Sequence, residues 1–200
     1  MILVLIAALL CLPLLAGLIP PLRPVVTSLA DFADRVNGAV GALTSWLSLF
    51  MVLTVFVIVI LRYVYGVGFI WMQESVVYMH GFLFMLAAGF TLRQNGHVRV
   101  DVFYGSASPA RRALVDVVGT YLFLFPVCLV ILYASYPYVA SSWAVFEKSR
   151  ETSGIPGVFL LKTALLVLPV LLMAQGFALA ARSLATLRGD TQHVDLAKAG

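Results

Sequence analysis

The chain has 200 residues, of which 62% are hydrophobic and only 11% are charged, and its formal net charge is +4. The mean hydropathy is +1.02. A soluble domain usually carries about 25% charged residues, so the composition excludes that class and predicts one integral membrane domain. Nucleic-acid binding is also excluded, because the basic residues cluster at the ends of apolar segments.

Residues 1–24 form a hydrophobic N-terminal segment, in which residues 1–19 are almost wholly apolar and Pro20 and Pro21 end the apolar run. The segment lacks the basic start and the small-residue cleavage site of a secretory signal. Its length is minimal for a membrane span, and Pro13 weakens the helix. We expect an extra hydrophobic helix outside the main domain, and a misassigned start of translation remains an open alternative.

Residues 25–40 alternate with helical periodicity between an apolar side and a polar side, and the polar side includes Asp31, Asp34 and Asn37. This pattern predicts an amphipathic helix in the membrane interface. A helix that covers a partner protein has the same pattern and stays open as an alternative.

Four later segments are apolar and long enough to cross a bilayer. They lie near residues 43–61, 69–92, 110–139 and 158–181. The predicted fold class is therefore all-α: an integral membrane bundle of four transmembrane helices, preceded by the amphipathic helix and the extra hydrophobic helix. The membrane domain covers residues 25–188, and residues 189–200 form a polar tail. Ser108 before Pro109 is a typical start of the third span.

The second span contains two ionisable residues, Glu74 and His80, and begins near Trp71, an aromatic residue of the membrane interface. Ionisable groups in a span need a partner or a role. We expect Glu74 to form a charge cluster with Arg62 and Lys162, as a structural joint between helices rather than an ion site. No other span contains a histidine, so His80 is predicted to be a hydrogen-bonded packing residue and not a haem ligand.

A basic loop follows the second span. It contains Arg93, Gly96 as the predicted helix terminator, and then His97, Arg99 and Asp101. Positive charge in residues 93–112 and 182–188 predicts that both regions are cytoplasmic, so the four-helix core has both its N-terminus and its C-terminus inside. Contacts between this loop and anionic lipid headgroups are expected.

Catalytic chemistry has no support in the sequence. It contains neither a G-x-S-x-G elbow nor an H-E-x-x-H motif, and no metal-ligand spacing. We therefore expect no enzyme activity, no catalytic residue, no metal and no cofactor. The residues alone predict a four-helix subunit of a membrane complex.

Four short motifs resemble a known family. They are RYVYG at 62–66, W-x-x-E at 71–74, TLRQNGHVRVDVFY at 91–104 and E-x-S-x-E-x-S-G-I-P at 147–156. Together they resemble the small membrane subunit (DctQ-like) of tripartite ATP-independent periplasmic (TRAP) transporters, in the mannitol/chloroaromatic branch. The resemblance covers roughly residues 31–188.

The resemblance implies a scaffold role in the bacterial inner membrane. A periplasmic substrate-binding protein would deliver an organic acid, and a large permease subunit (DctM-like) would carry it inward, driven by an ion gradient. The small subunit would hold the static part of the permease in the lipid bilayer. A membrane anchor of a redox enzyme and a small self-sufficient carrier remain as alternatives.

Overall fold

The computed structural model describes residues 2–96 and 107–189. The described part is helical, and its helices are α1 (Ile2–Leu18), a 3-10 turn (Pro20–Leu22), α2 (Arg23–Tyr63), α3 (Ile70–Arg93), α4 (Pro109–Ala144) and α5 (Val158–Leu187). Helices α2 to α5 are each long and apolar enough to cross a membrane. The prediction of an all-α bundle with four spanning helices is confirmed.

Helix α5 is the centre of the bundle. Half of its most apolar stretch is buried inside the chain, compared with 6% for α2 and for α3. It packs against each of the other four helices. Small residues such as Ala164, Ala178 and Ala180 are fully covered along its length. These side chains let neighbouring backbones come close, as helix contacts in lipid require.

The predicted amphipathic helix and the predicted first span are one continuous helix of 41 residues, α2. Two glycines, Gly38 and Gly41, lie near the boundary of these segments, and α3 covers both. A Cβ atom at Gly41 would overlap the ring of Phe90, and one at Gly38 would lie 2.6 Å from the guanidinium of Arg93. The glycines therefore allow α2 and α3 to pack closely, and they do not interrupt α2.

Helix α1 packs into the bundle although its sequence suggested a separate segment. Leu10 and Ala16 are buried in the main apolar core with residues of α2, α4 and α5. The Tyr121 hydroxyl donates a hydrogen bond to the Leu10 carbonyl at 2.9 Å. Arg188 donates one to the Pro13 carbonyl at 3.4 Å. Helices α4 and α5 thus hold α1 in place through its backbone oxygens.

Helix α4 begins as predicted and contains a π turn. The Ser108 side chain caps the helix by accepting a hydrogen bond from the Arg111 backbone, which confirms the predicted start. The π turn covers Thr120–Leu124, where the Phe125 N–H donates to the Thr120 carbonyl. The turn immediately precedes Pro126, which has no N–H to continue the regular α-helical pattern.

Gly89 of α3 lies against both α2 and α5. A Cβ atom at this position would overlap Asn37 Oδ1 and would lie 3.1 Å from the backbone oxygen of Leu171. We predict that Gly89→Ala destabilises the protein by about 1–3 kcal/mol, because the added methyl forces helices apart in a packed core. The thermal unfolding midpoint in detergent measures this effect.

Gly119 provides a matched control. It is also helical, but a Cβ atom there meets nothing within 4 Å. Gly119→Ala should leave the midpoint unchanged or raise it, since alanine is the better helix former. Equal midpoints for the two variants would show that the packing at Gly89 is not a constraint.

Candidate functional site

One end of the bundle carries the two short connections, residues 64–69 between α2 and α3 and residues 145–157 between α4 and α5. We call it the short-link end and the second connection the α4–α5 loop. The loop is folded back on itself, with backbone hydrogen bonds from Ser149 to Ile155 and from Gly154 to Glu151. Three of the four sequence motifs lie at this end, at residues 62–66, 71–74 and 147–156.

The carboxylate of Glu74, on α3, holds the α4–α5 loop. One oxygen accepts a hydrogen bond from the Ser149 hydroxyl, and the other accepts the backbone N–H of Ile155 at 2.6 Å. A Cβ atom at Gly154 would lie 2.7 Å from the same carboxylate, so the loop needs glycine there. We call Glu74, Ser149 and Ile155 the Glu74 latch.

Lys162, at the start of α5, pairs with a different carboxylate. Its ammonium group donates to Glu147 of the α4–α5 loop and lies 4.0 Å from the centroid of the Tyr138 ring. Among the described residues, neither Lys162 nor Arg62 forms an ion pair with Glu74. The structure thus gives Glu74 and Lys162 other partners than those predicted, because the loop inserts its own carboxylate and N–H groups between them.

Glu147 is positioned by the end of α4. The hydrogen bond from Lys162 lowers the pKa of Glu147 below its usual value. Phe146 adopts a left-handed backbone (φ 44°), which is costly for a side chain of this size. Its ring stacks edge-on against Phe159 at 5.6 Å. The turn at Phe146 directs the chain so that Glu147 reaches Lys162.

The other two predicted residues of this end are exposed. Arg62 lies on the last turn of α2, and Trp71 lies on the first turn of α3 with half of its surface exposed. The Trp71 ring packs against Phe69, with 6.2 Å between the ring centroids. Both side chains therefore face away from the bundle.

The opposite end, which we call the basic end, contains the start of the TLRQNGHVRVD motif. The guanidinium of Arg93 packs over Gly38 of α2. Helix α3 stops with Asn95 in the left-handed conformation (φ 54°), and the N–H of Gly96 reaches back to the Thr91 carbonyl at 2.9 Å. Asn95 thus makes the turn itself, one residue before the predicted terminator. His97, Arg99 and Asp101 lie outside the described residues.

The basic end also holds a buried polar cluster that sequence reasoning missed. Asp34 of α2 forms an ion pair with Arg182 and accepts a hydrogen bond from Gln175 Nε2 at 2.8 Å, both on α5. Asn37, one turn further along α2, donates to the Leu171 carbonyl of α5 at 3.4 Å. The sequence contained a signal for this cluster. Gln175 has an amide side chain within the fourth span, and Arg182 lies on the same helix face two turns later.

Asn37 and Gln175 are almost completely buried, with 0% and 2% of their surfaces exposed. The amide oxygen of each has no hydrogen-bond donor in the described part of the chain. The Asn37 Oδ1 atom points at the Cα atom of Gly89, on the side where any other residue would have its Cβ atom. A weak C–H···O contact is what this geometry permits.

His80 lies exposed on α3, and the prediction that it is a packing residue is wrong. Its imidazole forms no hydrogen bond with another described residue. The helix is turned so that Gly81, its neighbour, faces Leu161 of α5. His80 therefore points away from the bundle.

These contacts join helices within the chain. The Glu74 latch connects α3 to the α4–α5 loop, and the Asp34–Arg182 pair connects α2 to α5. Within residues 2–96 and 107–189, no group of three or more His, Cys, Asp or Glu side chains could hold a metal ion. The arrangement is suited to fixing helix positions.

The Glu74 latch leads to a prediction about loop order. Glu74→Ala removes both acceptors and leaves the Ile155 N–H unpaired, so hydrogen exchange in the α4–α5 loop should rise about tenfold or more. Glu74→Gln keeps one acceptor oxygen and should have a smaller effect. Exchange of peptides from residues 145–157, followed by mass spectrometry, measures both variants.

Glu151 is the matched control for this experiment, because it lies in the same loop and is exposed. Glu151→Ala should leave exchange unchanged. An unchanged loop in Glu74→Ala would contradict the latch. If such a variant also lost ion coupling in transport, Glu74 would belong to an ion site.

The comparisons with known proteins agree with this architecture. The sequence profile described as "Tripartite ATP-independent periplasmic transporters, DctQ component" matches residues 51–186, which is more than half of the chain. No curated protein and no solved structure matches the chain. The chain therefore belongs to the DctQ family, the small membrane component of tripartite ATP-independent periplasmic transporters.

Proposed function

We propose that this chain is the static scaffold subunit of a TRAP transporter. It packs beside the large permease subunit (DctM-like) and holds the immobile part of that subunit in the bilayer. The proposal rests on the contacts of four charged side chains, which bind other parts of this chain. Asp34, Arg182, Glu74 and Lys162 are all engaged in contacts that fix the chain's own helices and loop.

The outer surfaces of the bundle support the same role. Only 6% of the most apolar stretch of α2 is buried within the chain, and 17% of that of α4. Large apolar side chains, among them Phe56 and Phe123, are more than 60% exposed. Such surfaces suit lipid and a hydrophobic partner protein, and they do not suit an aqueous channel.

The family membership and the sequence resemblance support the remaining parts of the proposal. A periplasmic binding protein delivers an organic acid, the large subunit transports it with the energy of an ion gradient, and the complex lies in the bacterial inner membrane. Assignment to the mannitol/chloroaromatic branch rests on the resemblance of the four sequence motifs taken together. The basic end faces the cytoplasm and the short-link end faces the periplasm.

Orientation can be tested with single cysteines in a background that lacks Cys11 and Cys128. Ser153, in the α4–α5 loop, and Gln94, after α3, are both exposed. An impermeant thiol reagent added from the periplasmic side should label Ser153→Cys and leave Gln94→Cys unlabelled. The opposite pattern would reverse the proposed orientation.

The scaffold role predicts the outcome of reconstitution into liposomes. The large subunit and the binding protein together with this chain should give organic-acid uptake driven by a sodium gradient, and omission of this chain should abolish uptake. This chain alone should transport nothing, since Lys162 and Arg182 of α5 are held in ion pairs with Glu147 and Asp34. Uptake by this chain alone would make it a carrier, and full uptake without it would reduce it to an accessory protein.

A further inference from the structure

One face of α3 is exposed along three turns and includes polar groups. Gln73, Val77, His80 and Phe84 follow one another at spacings of four, three and four residues, so they lie on the same side of the helix. Val77 is 59% exposed and Phe84 is 71% exposed. We call these four residues the His80 stripe.

His80 lies in the middle of its span. It is ten residues beyond Ile70, the first residue of α3, which corresponds to about 15 Å along the helix axis. The hydrocarbon core of a bilayer is about 30 Å thick, so the imidazole is near its centre. A polar group exposed to hydrocarbon without a hydrogen bond is costly, and in membrane proteins such groups face a partner or a cavity.

The exposed face of α2 differs from the His80 stripe in the polar groups that it carries. It is covered by apolar side chains such as Leu49, Leu53 and Phe56. Its exposed hydroxyls, on Ser45 and Ser48, donate to carbonyls of their own helix at 2.8 Å and 2.7 Å. This face is compatible with lipid alone. The His80 stripe is not, because the imidazole of His80 lies near the centre of the core and has no hydrogen-bond partner within the described residues.

We propose that the His80 stripe is the surface on which a transmembrane helix of the large permease subunit packs, and that this helix pairs with the imidazole of His80. The inference rests on the proposed function, since it requires that a large subunit binds this chain. Val77 and Phe84 supply apolar contact on either side of His80. Gln73 adds a second hydrogen-bonding group about two turns nearer the short-link end.

The hydrogen-bonding capacity of imidazole favours an unlike partner over a second copy of this chain. A neutral imidazole has one donor and one acceptor. Across a two-fold axis, two His80 rings face each other. One donor then meets one acceptor, and the remaining nitrogen of each ring stays unpaired. A helix that offers both an acceptor and a donor, such as a hydroxyl group, satisfies both nitrogens.

Photo-crosslinking in the intact complex tests the proposed surface. Benzoylphenylalanine replaces Val77 or Phe84 in this chain, co-expressed with the large subunit, and replaces Leu53 of α2 or Phe123 of α4 as controls. All four positions are at least 50% exposed, so their reactivity is comparable. Positions 77 and 84 should form adducts with the large subunit in several-fold higher yield than positions 53 and 123.

Two kinds of failure are distinguishable in this experiment. If the unmodified chain does not co-purify with the large subunit, the proposed function fails. If it co-purifies but the adducts come mainly from position 53 or 123, the inference fails and the function stands. Adducts from positions 77 and 84 with a second copy of this chain, with this chain itself or with lipid only would also overturn the inference.

Variants of His80 test the hydrogen bond itself. His80→Leu should reduce recovery of the large subunit in detergent several-fold, because the partner's polar group is left unpaired. His80→Gln keeps a donor and an acceptor and should restore recovery. The thermal midpoint of the isolated chain should change little, since His80 is exposed and forms no hydrogen bond with another described residue. Equal recovery for His80→Leu and the unmodified chain would contradict the pairing.

Discussion

The cost of a polar group in hydrocarbon determines how this bundle is assembled. At the basic end, Asp34 of α2 is neutralised by Arg182 of α5. At the short-link end, Glu74 of α3 is satisfied by the loop that leads into α5. Between these two polar joints, contacts with α5 are made by small and apolar residues such as Ala164. The polar joints therefore fix which faces meet, and the small residues set how closely they meet.

The spans were predictable from sequence because a bilayer demands long apolar runs, and few other structures contain them. The start of α4 was equally clear, since Ser108 and Pro109 form a local signal that needs no distant contact. The continuity of α2 was not predictable. Gly38 and Gly41 suggest a weak helix in isolation, and only the packing of Phe90 and Arg93 shows why they are there.

The sequence predicted that Glu74 and Lys162 need partners, but it did not predict which ones. Those partners come from the α4–α5 loop, whose path depends on the left-handed turn at Phe146. Helical periodicity in the sequence is also limited in what it predicts. It places side chains on a common face of a helix, and it does not say what that face meets. Asp34 and Asn37, on the polar side of residues 25–40, bind α5, and His80 faces outward instead of inward.

The length of α2 has a consequence for the surrounding lipid. Its 41 residues extend over about 60 Å, twice the thickness of the hydrocarbon core. Exposed apolar side chains occur near both of its ends, with Phe32 at 61% and Phe56 at 62%. A straight helix of this length fits within the core only at an inclination of roughly 60°, beyond the usual range for membrane helices. Part of α2 therefore extends beyond the hydrocarbon core, and the headgroup region around it receives exposed apolar side chains of the first half of the helix, among them Phe32.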